Sequence, residues 1–201
     1  MLRRHFYYWL YRSVQVGQFD GIGFASPSEG ATEFAATMQA SLGLIRTHDP
    51  RRYRRVREHI CWIVNASHHH GGGGASYHPY LRRCKIDFSD FGWNDPAHVA
   101  AYYAHQIVHE ATHGWLSARG FPYSRYSRIQ HERICHAEQN RFLKLLDRQI
   151  PGIYKAWWSE FDPGDWDVSW NIWRRKTKEL RRIYERIATE PSDAAERERV
   201  S

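Results

Sequence analysis

Residues 105–115 read HQIVHEATHGW, and within them His109-Glu110-Ala111-Thr112-His113 sets two imidazoles four positions apart with a carboxylate beside the first. On an α-helix, at about 100° per residue, His109 and His113 stand about 40° apart around the axis and one turn apart along it, so both rings can reach one zinc ion. Glu110 lies about 100° round from His109, near enough to touch a water on that ion without ligating it. This is HExxH chemistry: the ion lowers the pKa of its water towards ~7, and the carboxylate takes the proton as the water attacks a carbonyl.

A zinc ion that keeps one position for water needs a third protein ligand. The following segment, RIQHERICHAEQ, supplies the candidates, and Glu132 shares a helical side there with Ile129, His136, Leu143 and Leu146. A carboxylate on so apolar a side is expensive unless a cation meets it. The adjacent stripe of His131, Cys135, Glu138, Phe142 and Leu145 is also partly apolar, so Glu132 leads while Glu138, His131 and His136 stay open. Tyr123, Tyr126 and Arg128, in the turn between the two segments, are candidates to donate to the oxyanion that water attack creates. His105, one turn before His109, is a candidate for a hydrogen bond in the cleft rather than for ligation, and Cys135 reads as a small buried residue.

Positioning these side chains requires helices with definite ends. Asp95-Pro96, a cap followed by proline at the first helical position, opens the helix that carries HExxH, and Gly120 with Pro122 stops it near Arg119. Ala100, Ala104, Ile107 and Ala111 gather opposite the histidines, flanked by Val108 and Trp115, so the apolar side should seat the helix while the histidine side faces a cleft. Ser127 with Gln130 suggests a capping box for a second helix from Arg128 to Gln149, ended by Pro151-Gly152. Upstream, Phe34, Met38, Leu42 and Ile45 mark a helix over roughly 32–45, and Asp49-Pro50 starts a short basic one through Glu58. Residues 61–64 form a strand or prolong that helix; 80–88 alternate as a strand. Ile172, Lys176, Leu180, Ile183 and Ile187 mark a further helix, and the opening MLRRHFYYWLYRS shows no clear period.

With these residues in view, the chain resembles the gluzincin branch of the zincin-like metallopeptidases, in which a helix with HExxH is followed by a turn and a helix with a glutamate ligand. The resemblance spans about residues 80–146 and extends to small bacterial proteins of zincin type, for which it supplies no substrate. It implies an α+β fold with a small sheet, zinc on His109, His113 and Glu132, one ion per chain, and Glu110 as base. It implies also that the strand before the HExxH helix, about 81–88, is the sheet edge along which an extended peptide lies. The longer metzincin pattern fails, because Leu116 and Arg119 stand where glycine and histidine are needed.

Composition sets the frame. At 201 residues and 42 % hydrophobic, the chain suits one domain over about 1–190, with a polar tail at 191–201. Its longest early apolar run is too short for a membrane span and too aromatic for a leader, and three cysteines without CxxC spacing fit a reducing compartment, so a cytoplasmic location is expected. The formal charge of +7 biases the surface towards acidic partners, nucleic acid included, but the arginines at 51, 52, 54, 55 and 57 come with no base-stacking motif and read as a solvated face. His68 to His70 stand before four glycines, which cannot hold ligands in place. The leading expectation is a zinc-dependent hydrolase acting on a peptide or protein. Two alternatives stand beside it: a basic module binding nucleic acid or an acidic partner with zinc structural or absent, and an inactive zincin scaffold.

Overall fold

The computed structural model describes residues 2–27, 30–66, 74–88, 95–157 and 160–162, and every element below belongs to one compact unit, Met1–Phe161. The His68–His70 loop, the helix expected over 172–187 and the polar tail fall outside the described residues. The architecture is α+β, with six helices and a five-stranded mixed sheet among the described residues.

The chain opens with α1 (Leu2–Ser13), in a segment whose sequence shows no clear period, then β1 (Gln15–Phe19) and β2 (Ile22–Ala25), two strands absent from the expectations above. These pair antiparallel through Asp20 and Gly21, both at positive φ (46° and 84°), the two-residue turn whose twist suits a hairpin. Helix α2 (Ala31–His48) buries Phe34, Met38, Leu42 and Ile45, the face its periodicity marks. Asp49 then serves two helices. Its N–H donates to the Ile45 carbonyl and ends α2, while its side chain accepts from Arg52 N and, with Pro50 at the first helical position, starts α3 (Pro50–His59).

Residues 62–65 are strand β3 (Trp62–Asn65), not a continuation of α3, because Ile60 turns to extended backbone. Strands β4 (Ala75–His78) and β5 (Arg83–Ile86) follow, joined by a turn over 79–82, so the strand expected over 80–88 is shorter at both ends. The sheet order is β1-β2-β3-β5-β4, with β2, β3 and β5 parallel and the outer strands antiparallel to their neighbours. This corrects the expected edge: β5 lies inside the sheet, hydrogen-bonded on both sides, and β4 is the edge at that end.

Helix α4 (Pro96–Ala118) carries the HExxH segment. Asp95 Oδ1 accepts from Ala97 N (2.9 Å) at its start. At its end Gly120 adopts φ 77° while Gly120 N and Phe121 N return to the Ser117 and Leu116 carbonyls, a left-handed stop that only glycine enters cheaply. Ala104, Ile107, Val108 and Ala111 join the core with residues of α2, the sheet and α5 (Arg128–Leu146). The helix is not two-faced as expected. His105, His109, Glu110 and Thr112 are buried too, because α5 covers the histidine side, and only His113 of the motif is half-buried. Ser127 heads α5 without a side-chain cap bond, so the expected capping box does not form; its Oγ donates instead to the Pro122 carbonyl (2.8 Å) and fixes the inter-helix turn. Helix α6 (Ile153–Trp157) follows, with Ile153 in the core. No helix among the described residues is long and apolar enough to cross a membrane.

Candidate metal centre

Helices α4 and α5 pack side by side, and their contact brings three atoms together: Nε2 of His109, Nε2 of His113 and Oε2 of Glu132. The two nitrogens are 3.2 Å apart, and the oxygen lies 3.1 Å from His109 and 3.6 Å from His113. All three residues are largely shielded, His109 and Glu132 being buried outright.

The surrounding hydrogen bonds decide which ring nitrogens carry protons. His109 donates from Nδ1 to Gln139 Oε1 (3.0 Å), which leaves its Nε2 with a lone pair. His131 donates from Nε2 to the Phe121 carbonyl (2.5 Å), so its Nδ1 accepts from Nδ1 of His113 (3.4 Å) and the Nε2 of His113 is bare as well. The His113 and His131 rings are only 10° from parallel with 5.6 Å between centroids, and the Phe121 ring stacks on His131 at 4.6 Å. Two lone pairs and a carboxylate oxygen thus face one point. Such a group repels itself unless a cation sits among it.

The donor set fits zinc. Bonds of about 2.0–2.1 Å at tetrahedral angles place donor atoms about 3.3 Å apart, and the three separations here straddle that value. Two imidazoles and a carboxylate are also the ligand types that this ion takes when it keeps an open position. With no ion bound and both imidazoles protonated, burial raises the Glu132 carboxyl but the hydrogen bonds and charge of His109 and His113 outweigh it and hold the group well below the carboxylate range; a bound ion would take the place of those protons. Cys135 and His136 stand close by, in groups with His109 whose ligand atoms all lie within 4.8 Å of one another.

Glu110 is buried, and burial together with the nearby Glu132 charge lifts its carboxyl to about 7 against the opposing pull of His109. It influences the thiols of both Cys84 on β5 and Cys135 on α5, which burial pushes up, so Cys135 is a packed, unreactive thiol as expected. Of the residues in the inter-helix turn, Tyr123 reaches the centre: its ring lies 5.4 Å from that of His113 and its hydroxyl hydrogen-bonds the Glu132 carboxylate. Tyr126 does not reach it, being 95 % exposed. Arg128 is buried at the first turn of α5. His105 is buried one turn before His109 with its ring against Tyr102; neither of its nitrogens has a hydrogen-bond partner among the described residues, and burial, with smaller contributions from His109 and His136, lowers it to about 3.

Glu138, the rival third ligand, is committed elsewhere. It pairs with Arg52 at 3.2 Å and Arg55 at 3.0 Å, and with Arg141 on its own helix. Arg55 is buried, donates also to Thr112 Oγ1 (3.0 Å) inside the HExxH segment, and lies over the Trp115 ring. Part of the basic run on α3 is therefore a brace joining α3, α4 and α5, not the solvated face expected of it; Arg51, Arg54 and Arg57 are exposed. The glycine after the motif has a similar task. A Cβ at Gly114 would meet His59 Cβ at 2.7 Å and the Tyr77 ring at 2.8 Å, so its absence lets α3 and β4 close on α4.

Sequence reasoning did not assign Gln139, His131 as a relay, Arg55 or Gly114. Gln139 was the most accessible of these, standing two turns after Glu132 on the same helical side. No family model, curated protein sequence or solved structure matches this chain.

Proposed function

We infer that this protein is a zinc-dependent hydrolase whose substrate is an amide bond of a peptide or protein. The observation that carries the reading is the meeting of His109 Nε2, His113 Nε2 and Glu132 Oε2 at 3.1–3.6 Å, with both imidazoles hydrogen-bonded from behind so that their lone pairs face inward. A zinc ion held there would polarise a water and the carbonyl it attacks. Glu110, next to His109 in sequence and out of solvent, is the base that takes the water's proton and passes it to the leaving amine. A carboxyl poised near 7 by burial suits both steps at neutral pH. Gln139 and His131 keep His109 and His113 in the tautomer that faces the centre. The sheet-edge strand β4 packs against α4, and its outer backbone is the surface on which an extended peptide would add as a strand.

The test is cleavage of a mixed peptide library by the wild type beside Glu110→Gln. Cleavage by the first and not the second supports the reading; equal cleavage by both, or by neither with zinc supplied, contradicts it. The exposed Arg51, Arg54 and Arg57 favour a second reading, a module for nucleic acid or another polyanion. In that case binding falls steeply with salt and survives loss of His109.

A further inference from the structure

Helix α5 repeats the spacing that makes α4 a metal-binding helix. His109 and His113 are four residues apart on α4; Glu132 and His136 are four residues apart on α5, so each helix presents a pair of potential donors one turn apart. We propose that His136 is a fourth protein donor to the ion that His109, His113 and Glu132 would hold. This rests on the metal reading above.

Three observations support it. Ligand atoms of His109, Glu132 and His136 all lie within 4.8 Å of one another, so these separations exceed a tetrahedral one of about 3.3 Å by at most about 1.5 Å. Rotation of one side chain covers that distance. The His136 ring stands edge-on to that of His109, 5.0 Å between centroids at 88°, with Phe161 5.5 Å from it. Nor is His136 needed to orient His109, because Gln139 already accepts from Nδ1 of that ring. With four protein donors a tetrahedral ion would keep no position for water, so release of His136 would be what admits water and substrate.

Cobalt(II), whose visible ligand-field bands report donor number and type, tests this without any assay of hydrolysis. The full-length wild type, His136→Phe, His136→Ala and His109→Ala are titrated with cobalt and with zinc, and unfolding of each metal-free protein confirms the fold. The expected result is a zinc affinity at least about tenfold weaker in both His136 variants, with weaker, shifted cobalt bands that added imidazole restores in His136→Ala. His136→Phe keeps the ring and removes both nitrogens, so a packing role alone predicts no change there. Wild-type affinity and bands in His136→Phe, alongside loss of uptake in His109→Ala, overturn the fourth donor and leave the three-donor centre standing. Absence of cobalt and zinc uptake by the wild type overturns both.

Discussion

At the scale of single residues, the centre is a balance between burial and charge. Glu110 and Glu132 are both buried carboxylates on facing helices, yet their pKa values move in opposite directions: that of Glu132 falls because two imidazoles meet it, and that of Glu110 rises to about 7 because no comparable partner does. For the metal-free protein the sign is definite. A carboxyl whose folded pKa exceeds its unfolded value of about 4.5 contributes its full stability below 4.5 and loses it as pH rises through 7. Metal-free Glu110→Gln should therefore match the wild type near pH 4 and exceed it at pH 8 by about 3 kcal/mol, measured by urea unfolding at both values. In the loaded protein the same substitution should leave zinc in place and lower kcat by about 10²–10⁴-fold, because the amide keeps the volume and cannot take a proton. Zinc content by elemental analysis beside turnover separates those two effects. The pairing of His109 with His113 was legible from spacing alone, since i and i+4 on one helix is a local relation, whereas Glu132 was only preferred over Glu138, His131 and His136 from the apolar side it shares. His131 and Gln139 were harder to assign, because their roles depend on how α5 is rotated against α4, which no local pattern states.

At the scale of elements, the helices that hold the centre announce themselves by their ends. Asp49-Pro50 and Asp95-Pro96 work through side chains within three residues, so the structure reproduces both starts. The sheet is different. Which strand lies at its edge is set by pairings between residues far apart in sequence, and the reading that put 81–88 at the edge missed β4, a four-residue strand with no strong alternation. The β1–β2 hairpin was within reach through Asp20-Gly21, a pair with the backbone freedom this turn requires. Two predictions belong here. Gly114→Ala should destabilise the fold by about 1–3 kcal/mol although alanine favours a helix by ~1 kcal/mol, because its methyl meets His59 and Tyr77 below 3 Å; thermal unfolding checks the sign. Burial tends to raise Glu138, but Arg52, Arg141 and Arg55 together hold it below its ordinary range, so its ion pairs stabilise above the unfolded value and weaken as pH falls through the lower, folded one. Glu138→Gln leaves the buried Arg55 without a carboxylate, while Arg52 keeps Asp49, and should cost about 3 kcal/mol at pH 7, with the loss shrinking towards acid in chemical unfolding.

At the scale of the whole molecule, the centre lies where α4, the most deeply buried helix, meets α5, so an ion there would tie together two elements that the Ser127 turn and the Arg55–Glu138 brace already align. Zinc should then behave as a stabilising ligand, raising unfolding free energy by about 4 kcal/mol at a thousandfold excess over Kd, and a chelator should lower the melting temperature of the wild type but not of His109→Ala. The central claim is that one ion binds to His109, His113 and Glu132. Equilibrium zinc titration of the wild type, Glu132→Ala and Glu138→Ala tests it most directly. The account predicts one zinc per wild-type chain, sharply weakened binding in Glu132→Ala and near wild-type affinity in Glu138→Ala. No zinc uptake by the wild type, or loss of the metal in Glu138→Ala with retention in Glu132→Ala, would contradict it.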